Sequence, residues 1–346
     1  MNRKSFWESV PLWKLEKEFS LSLNCFLSES LDFKFKRDTL RPKQNIRPLP
    51  GFFMSNQFKA LTERQRVLME MAQPITYKPL DDGDDLLIHF YFPKNLKEGD
   101  PKSLFLFFNS GAFDRGNPIQ FAPHALYFVE RGAVCGLVEY RSKATHPSCF
   151  PTDAMQDGRS AIRFVRHHAE KFNINREKLA VFGAGAGGMI AGGAALNTSV
   201  PTDPGDFNMS SSRPNAAILF SPMIDVAKGD YGFDQFRDAG EAKRLGLSKS
   251  ISSHCPPMQI IHGTADRLIP VARVEKFADK MAKRKNVCEF VPFEGRDNNY
   301  YNLNVDPVSY EACLTLIDNF LVKHEFLPEN ENEDGARLIS WREQDF

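Results

Sequence analysis

Apolar runs of strand length fall at Ile75–Pro79, Leu86–Phe92, Ser103–Phe108, Ala133–Glu139, Lys178–Phe182, Ala216–Phe220, Met258–His262 and Cys288–Pro292. Between most of the later runs the apolar period changes to that of a helix. Ala154, Ala161, Val165, Ala169 and Phe172 share one helical face, as do Val274, Phe277, Ala278 and Met281. A last helix carries Tyr310, Leu314, Ile317 and Leu321. The first two runs are joined by LDDGDD, a turn signal suited to a hairpin. Antiparallel strands followed by strand–helix alternation predict an α/β fold: one mostly parallel sheet with helices on both faces.

Residues 1–72 lack that rhythm. They mix aromatics with charge and include the proline-punctuated stretch Arg41–Pro50. Thr62 and Gln65 have capping-box spacing ahead of Val67, Leu68 and Met71, which predicts a short helix there. Phe6, Trp7, Trp13, Phe19, Phe26, Phe52, Phe53 and Phe58 would form exposed apolar patches if this segment stayed in water. The expectation is therefore an ordered, cap-like N-terminal extension over 1–72, a main domain over 73–327 and a C-terminal tail over 328–346. The acidic stretch Glu329–Asp334 reads as solvated.

The chain has 346 residues and balances 44 basic against 44 acidic side chains, so charge gives no reason to expect a nucleic-acid partner or an anionic membrane surface. Apolar residues make up 42% and charged ones 25%, which is globular usage and argues against disorder. No apolar run approaches the roughly 20 residues of a membrane span. The opening MNRKSFWESVPLWKLEKEF interleaves charge with its aromatics, unlike a signal peptide. Six scattered cysteines without a CxxC pair suggest reduced thiols and a cytoplasmic location. Histidines and cysteines lack zinc-site spacing, so neither metal nor cofactor is expected.

The densest chemical signal is Ala180–Gly193, AVFGAGAGGMIAGG, which follows one predicted strand and opens a helix. Gly183, Gly185 and Gly188 spell GxGxxG, which would let a pyrophosphate reach a helix N-terminus. Against a dinucleotide site, about four strands precede this one, and the region that should end in an acid reads VPTDPGDF. The other reading is a nucleophile elbow, GxSxG, with Gly183, Gly187 and Gly188 as the small residues of the turn. Its central position is Gly185, which has no side chain.

Four further segments bear on this choice: FNSGAF after the third run, VEYRSKATHPSCFPTDAMQDGRSAIRFVRHHAEKFNINREKL, HGTADRLIP, and FEGRDNNYYN. Taken in order with the glycine turn and RPNAAILFSP, they make the stretch from about Ile75 to Leu327 resemble α/β-hydrolase carboxylesterases. The likeness is to acetyl-xylan and feruloyl esterases, near the hormone-sensitive-lipase branch. The resemblance implies an α/β-hydrolase fold of eight strands. It implies Asp266 as triad acid, Gly185 where the nucleophilic serine belongs, and Asn298 where the histidine belongs. It implies oxyanion donors from the backbone of Gly111, Ala112 and Ala186. The oxyanion loop, which would begin His-Gly, begins Asn109-Ser110.

Ester hydrolysis of this type needs a hydroxyl, an imidazole and oxyanion donors. A glycine supplies no hydroxyl, and a carboxamide does not titrate near neutrality. The leading expectation is thus an esterase homologue without catalysis, binding a small ester or carboxylate or serving a protein partner that the sequence does not identify. Two alternatives stand beside it. One is an active ester hydrolase with a relocated nucleophile, for which Ser110, Cys135, Cys149 and His146 are the candidates. The other is nucleotide binding through the GAGAGG turn. His262 is expected to pack or hold a loop.

Overall fold

The eight predicted runs become eight strands of one sheet in the computed structural model, which describes residues 63–329 apart from 82 and 95. Most of the expected extension and nearly all of the expected tail lie outside those residues, as does Thr62, the predicted helix cap. The strands are β1 (Gln73–Lys78), β2 (Leu86–Tyr91), β3 (Lys102–Phe108), β4 (Val134–Val138), β5 (Ile174–Ala184), β6 (Ala216–Phe220), β7 (Met258–Gly263) and β8 (Cys288–Phe293). Their order across the sheet is β1-β2-β4-β3-β5-β6-β7-β8. Strand β2 runs antiparallel to both β1 and β4, and every other pair is parallel.

The helices are α1 (Glu63–Glu70), α2 (Ala122–Glu130), α3 (Pro151–His167), α4 (Ala169–Phe172), α5 (Ala186–Ala195), α6 (Ala239–Leu245), α7 (Val271–Lys283) and α8 (Pro307–Lys323). Parallel neighbours require long crossovers, and α2 to α7 supply them between β3 and β8. Covered on both faces, β3 is apolar at nearly every position. Leu104, Leu106 and Phe108 join the core beneath α3, α5 and α7, whereas Phe105 and Phe107 join the core beneath α1, α2 and α8. Each buried Phe is worth roughly 1.5–3 kcal/mol. Thr62 aside, the predicted N-terminal helix is α1, whose Met69 is buried and whose Leu68 carbonyl accepts the Tyr91 hydroxyl at 2.7 Å.

Strand β5 starts four residues earlier than the apolar pattern suggests. Ile174 pairs with Lys102, and an irregularity separates that contact from the regular register beginning at Leu179. The polar run Asn175–Lys178 hid it.

Two buried polar groups were not anticipated. Asp157 on α3 is fully buried and accepts from Lys78 Nζ at 2.8 Å and from Arg141 Nε at 2.8 Å. Lys78 Nζ also meets Asp203 at 2.7 Å. Paired in this way, the charges tie β1 and the exit of β4 to α3 without leaving one uncompensated. His124 on α2 lies among the rings of Phe121, Phe220 and Tyr310, at 5.1, 5.7 and 4.8 Å. Burial holds its pKa down, to about 3.

Candidate active site

Gly185 forms the sharp corner between β5 and α5, with φ 51° and ψ −114°. Its N–H donates to the Phe220 carbonyl at 3.1 Å, and its carbonyl accepts from Met189 and Met223 at 3.1 and 3.0 Å. The flanking glycines are required by contact. A Cβ on Gly183 would stand 2.2 Å from the Gly187 carbonyl oxygen, and one on Gly187 would stand 2.1 Å from that of Phe108. One on Gly188 would meet the Pro222 Cβ at 2.8 Å. Gly185 differs. A Cβ there would meet only Ser110, at 3.5 Å, so space for a side chain exists, although an L-residue would be held at positive φ.

These contacts correct the dinucleotide alternative. The flanking glycines admit neighbouring protein backbone and a proline ring rather than a pyrophosphate, and the turn ends the fifth strand near the middle of the sheet.

The loop after β3 curls tightly. Gly111, Ala112 and Phe113 have φ of 136°, 52° and 64°, and the N–H groups of Asp114 and Arg115 return to the Gly111 carbonyl at 2.9 and 3.2 Å. The N–H groups of Gly111, Ala112 and Ala186 donate to no protein acceptor among the described residues. Within 4 Å of a Cβ built on Gly185 only Ser110 is found, while Ala112 lies beside Gly232. The run of positive φ turns the loop back on itself, and the β3 exit packed against Gly187 puts Ser110 at the corner.

Gln120 escaped the sequence reading. Its Oε1 accepts from the Ser110 N–H at 2.8 Å and the Ser110 hydroxyl at 3.1 Å. Its Nε2 donates to the Tyr301 hydroxyl at 3.0 Å and to Asn302 Oδ1 at 3.1 Å. One side chain thereby clamps the loop after β3 to the segment after β8. Nothing local in the sequence marks a glutamine whose partners lie 181 and 182 residues away.

Asp266 follows β7 and is buried. Its Oδ1 accepts from Leu268 and Ile269 N–H at 2.8 and 2.9 Å. Its Oδ2 accepts no hydrogen bond and stands 3.6 Å from His262 Nε2. That imidazole donates through Nε2 to the Ile269 carbonyl at 2.9 Å, and burial lowers its pKa. His262 therefore holds the loop as a neutral donor, in line with the expected packing role. The loop after β8 lies against the exit of β7, because Ala265 N–H donates to the Arg296 carbonyl at 2.9 Å and Thr264 N–H to that of Phe293 at 3.0 Å. Asn298 is half-buried there. It accepts one hydrogen bond, from Asn299 Nδ2 at 3.4 Å, and none joins it to Asp266.

The relocated-nucleophile candidates fare no better as pairs. No imidazole or carboxylate hydrogen-bonds the Ser110 hydroxyl. Cys149 is buried and its thiol is pushed up to about 11, while His146 is engaged with Thr145 Oγ1 at 2.9 Å and the Asp84 carbonyl at 3.3 Å. Cys135 is fully buried, and desolvation raises its pKa strongly. Among the described residues no three His, Cys, Asp or Glu side chains are grouped to hold a metal, and no helix is long and apolar enough to cross a membrane.

The sheet order, the single reversed β2 and the glycine corner after β5 are those of an α/β-hydrolase, and comparison with known proteins agrees. The BD-FAE family model matches residues 88–281. The chain belongs to the BD-FAE family. This BD-FAE chain is similar to a solved esterase, esterase 2 of Thermogutta terrifontis, at 33% identity and a TM-score of 0.71, over 76% of this chain and 96% of that one. It is also similar to the probable carboxylic ester hydrolase LipM of Mycobacterium tuberculosis, at 26% identity over 53% of this chain and 46% of that protein. An acetylxylan esterase of Xylanibacter ruminicola matches at 25% identity over 42% of this chain and 30% of that protein. The chain spans less than half the length of those two curated relatives. It is an esterase-like α/β-hydrolase homologue.

Proposed function

We propose that this BD-FAE chain is a non-catalytic esterase homologue whose hollow beside Gly185 takes a short carboxylate or ester. The observation that carries the reading is Gly185 itself: a sharp corner at positive φ with room for a nucleophile's side chain and none there. In this reading Gly185 stands at the lost nucleophile position, Asn298 at the lost histidine position, and Asp266 is the retained acid. The Asp266 Oδ2 without a hydrogen bond fits an acid whose imidazole partner is gone. The undirected N–H groups of Gly111, Ala112 and Ala186 suit a carboxylate oxygen, since an oxyanion hole is made of backbone donors and survives loss of the triad side chains. The Thermogutta terrifontis esterase 2 has been solved with propionate bound and phosphorylated by paraoxon. The ligand class proposed for this chain is the former. The covalent chemistry of the latter has no oxygen at residue 185 to form on.

The test combines three measurements on the full chain: calorimetric titration with propionate and butyrate, hydrolysis of short-chain nitrophenyl esters, and mass spectrometry after paraoxon. Saturable carboxylate binding without enzyme-level turnover, and no adduct at residue 185, is the expected outcome. Robust turnover that survives removal of host esterases would replace the proposal with a working hydrolase. An adduct on Ser110 would identify its nucleophile.

A further inference from the structure

At the edge of the sheet opposite Gly185, where β5, β6 and β7 begin, lies an open cavity of about 490 Å³. Its lining includes Arg166, Arg176, Arg213, His254 and Asn215, with Glu177 as the one carboxylate. The three arginines are not neutralised in the usual way. Arg166, at the end of α3, is 8% exposed and makes no ion pair among the described residues. Its guanidinium donates instead to neutral oxygens: the carbonyls of Arg176 at 3.2 Å, Ser211 at 2.8 Å and Arg213, and Asn215 Oδ1 at 2.6 Å. Desolvation lowers its pKa, opposed only by the charge of Glu177.

Arg213 repeats the pattern. Its Nε and Nη2 donate to the carbonyls of Ala195 and His254 at 3.0 and 2.7 Å, which fixes the side chain and leaves Nη1 without a partner among the described residues. Arg176 is exposed, and its only ion pair among the described residues, with Glu170, is 3.9 Å long between solvent-facing groups. Carbonyl oxygens satisfy hydrogen bonds but bring no negative charge, so a desolvated guanidinium held by them alone remains a cation without its counter-ion.

We infer that this cavity is a binding site for a multiply charged oxyanion of the phosphate class, either the inorganic ion or the phosphoryl group of a small molecule. A planar guanidinium already anchored at two corners is prepared to give its remaining donors to a tetrahedral oxyanion, and such charge-assisted bonds are the strong ones. The volume falls within the range of small-molecule sites and exceeds what a lone phosphate fills. The cavity is separated from the Gly185 corner by the length of the strands.

Titration calorimetry on the full chain tests the inference, with inorganic phosphate and glycerol 3-phosphate against chloride at matched ionic strength. Saturable binding is expected, weakened about tenfold or more by Arg213→Gln and by Arg176→Gln. The same binding should be unchanged by Lys228→Gln, an exposed lysine in the loop after β6 at the other end of the sheet. Arg176→Gln removes an exposed side chain, so it reports even if Arg213→Gln disturbs the 211–215 segment. Tighter binding of glycerol 3-phosphate than of phosphate assigns the organic ester, and the reverse assigns the inorganic ion. No heat beyond the chloride control, or binding indifferent to Arg176→Gln, overturns the site.

Discussion

The turn at Gly183–Gly188 and the loop at Glu294–Asn299 border the same end of the sheet, and they are held by opposite means. In the turn, three of the glycines have neighbouring atoms within 2.2, 2.1 and 2.8 Å of where a Cβ would be. In the loop, Glu294, Gly295, Arg296, Asp297 and Asn299 are exposed, and the attachment at the exit of β7 is through backbone hydrogen bonds and the Thr264 hydroxyl, which accepts from the Gly295 N–H at 2.8 Å and donates to Glu294 at 3.2 Å. Packing dictates residue type in the first region and only chain path in the second. On the proposed reading this explains why the architecture of an esterase corner persists while its reacting side chains are gone. A serine hydroxyl and an imidazole are needed for chemistry, and the core closes without them.

Substitution within the turn should give the largest response. Gly187→Ala forces a Cβ into the Phe108 and Asn109 carbonyls at 2.1 and 2.4 Å, and it should cost about 3 kcal/mol or more in urea denaturation. Gly185→Ala has space and suffers only the left-handed φ, about 1–3 kcal/mol. Equal costs for the two would break the distinction between a position filled by neighbours and one left open.

Activity sharpens the other side of the comparison. Gly185→Ser alone should gain under about tenfold in nitrophenyl ester hydrolysis, because triad members act as a unit. Gly185→Ser with Asn298→His should gain about 10²-fold over the single change, which is roughly 2.7 kcal/mol of barrier. Full recovery is not expected, since Asn298 makes no bond to Asp266 and a misplacement near 1 Å costs about 10²-fold. A single substitution as active as the double would show that the loop contributes no base.

Acid sensitivity belongs to the packed side. His124 has its pKa lowered by burial from 6.5 to about 3, so the unfolded chain binds a proton between those values while the folded chain does not. Stability from this group is complete above about pH 6.5 and falls with acidification towards pH 3, by at most about 1.4 kcal/mol per pH unit. His124→Phe should flatten that part of the denaturation-midpoint profile. An unchanged slope would place the acid sensitivity elsewhere. Asn298→Ala should move stability least, within about 0.5 kcal/mol, as befits a half-buried side chain with one long hydrogen bond.

All eight strands were legible because a short apolar run is a local signal, and covering both sheet faces makes the run nearly continuous, as in β3. The corner was legible because crowding by Phe108, Gly187 and Pro222 leaves glycine as its trace in the chain. Polar links were not. Gln120 reads as an ordinary surface residue until the fold brings Ser110, Tyr301 and Asn302 to it, and Asp157 reads as a solvent-facing helix acid until Lys78 and Arg141 arrive. The positions of Asp266 and Asn298 were read from motif order alone, which carries no information about side-chain direction. The same limit applies to Ser110, whose place beside Gly185 follows from the pairing of Phe108 with Gly183 and the packing of the β3 exit against Gly187.

The conformation of Gly185 also has a direction in time. Any L-residue at φ 51° stores strain, about 1–3 kcal/mol, that glycine releases. On the proposed reading, glycine at this corner gained folding stability at the step that removed the nucleophile. A return by serine would bring the strain back first and, with asparagine at 298, restore no proton acceptor. On that reading each step backward is penalised before any is rewarded, and the corner works as a ratchet: the geometry that suits an exposed nucleophile also disfavours its return.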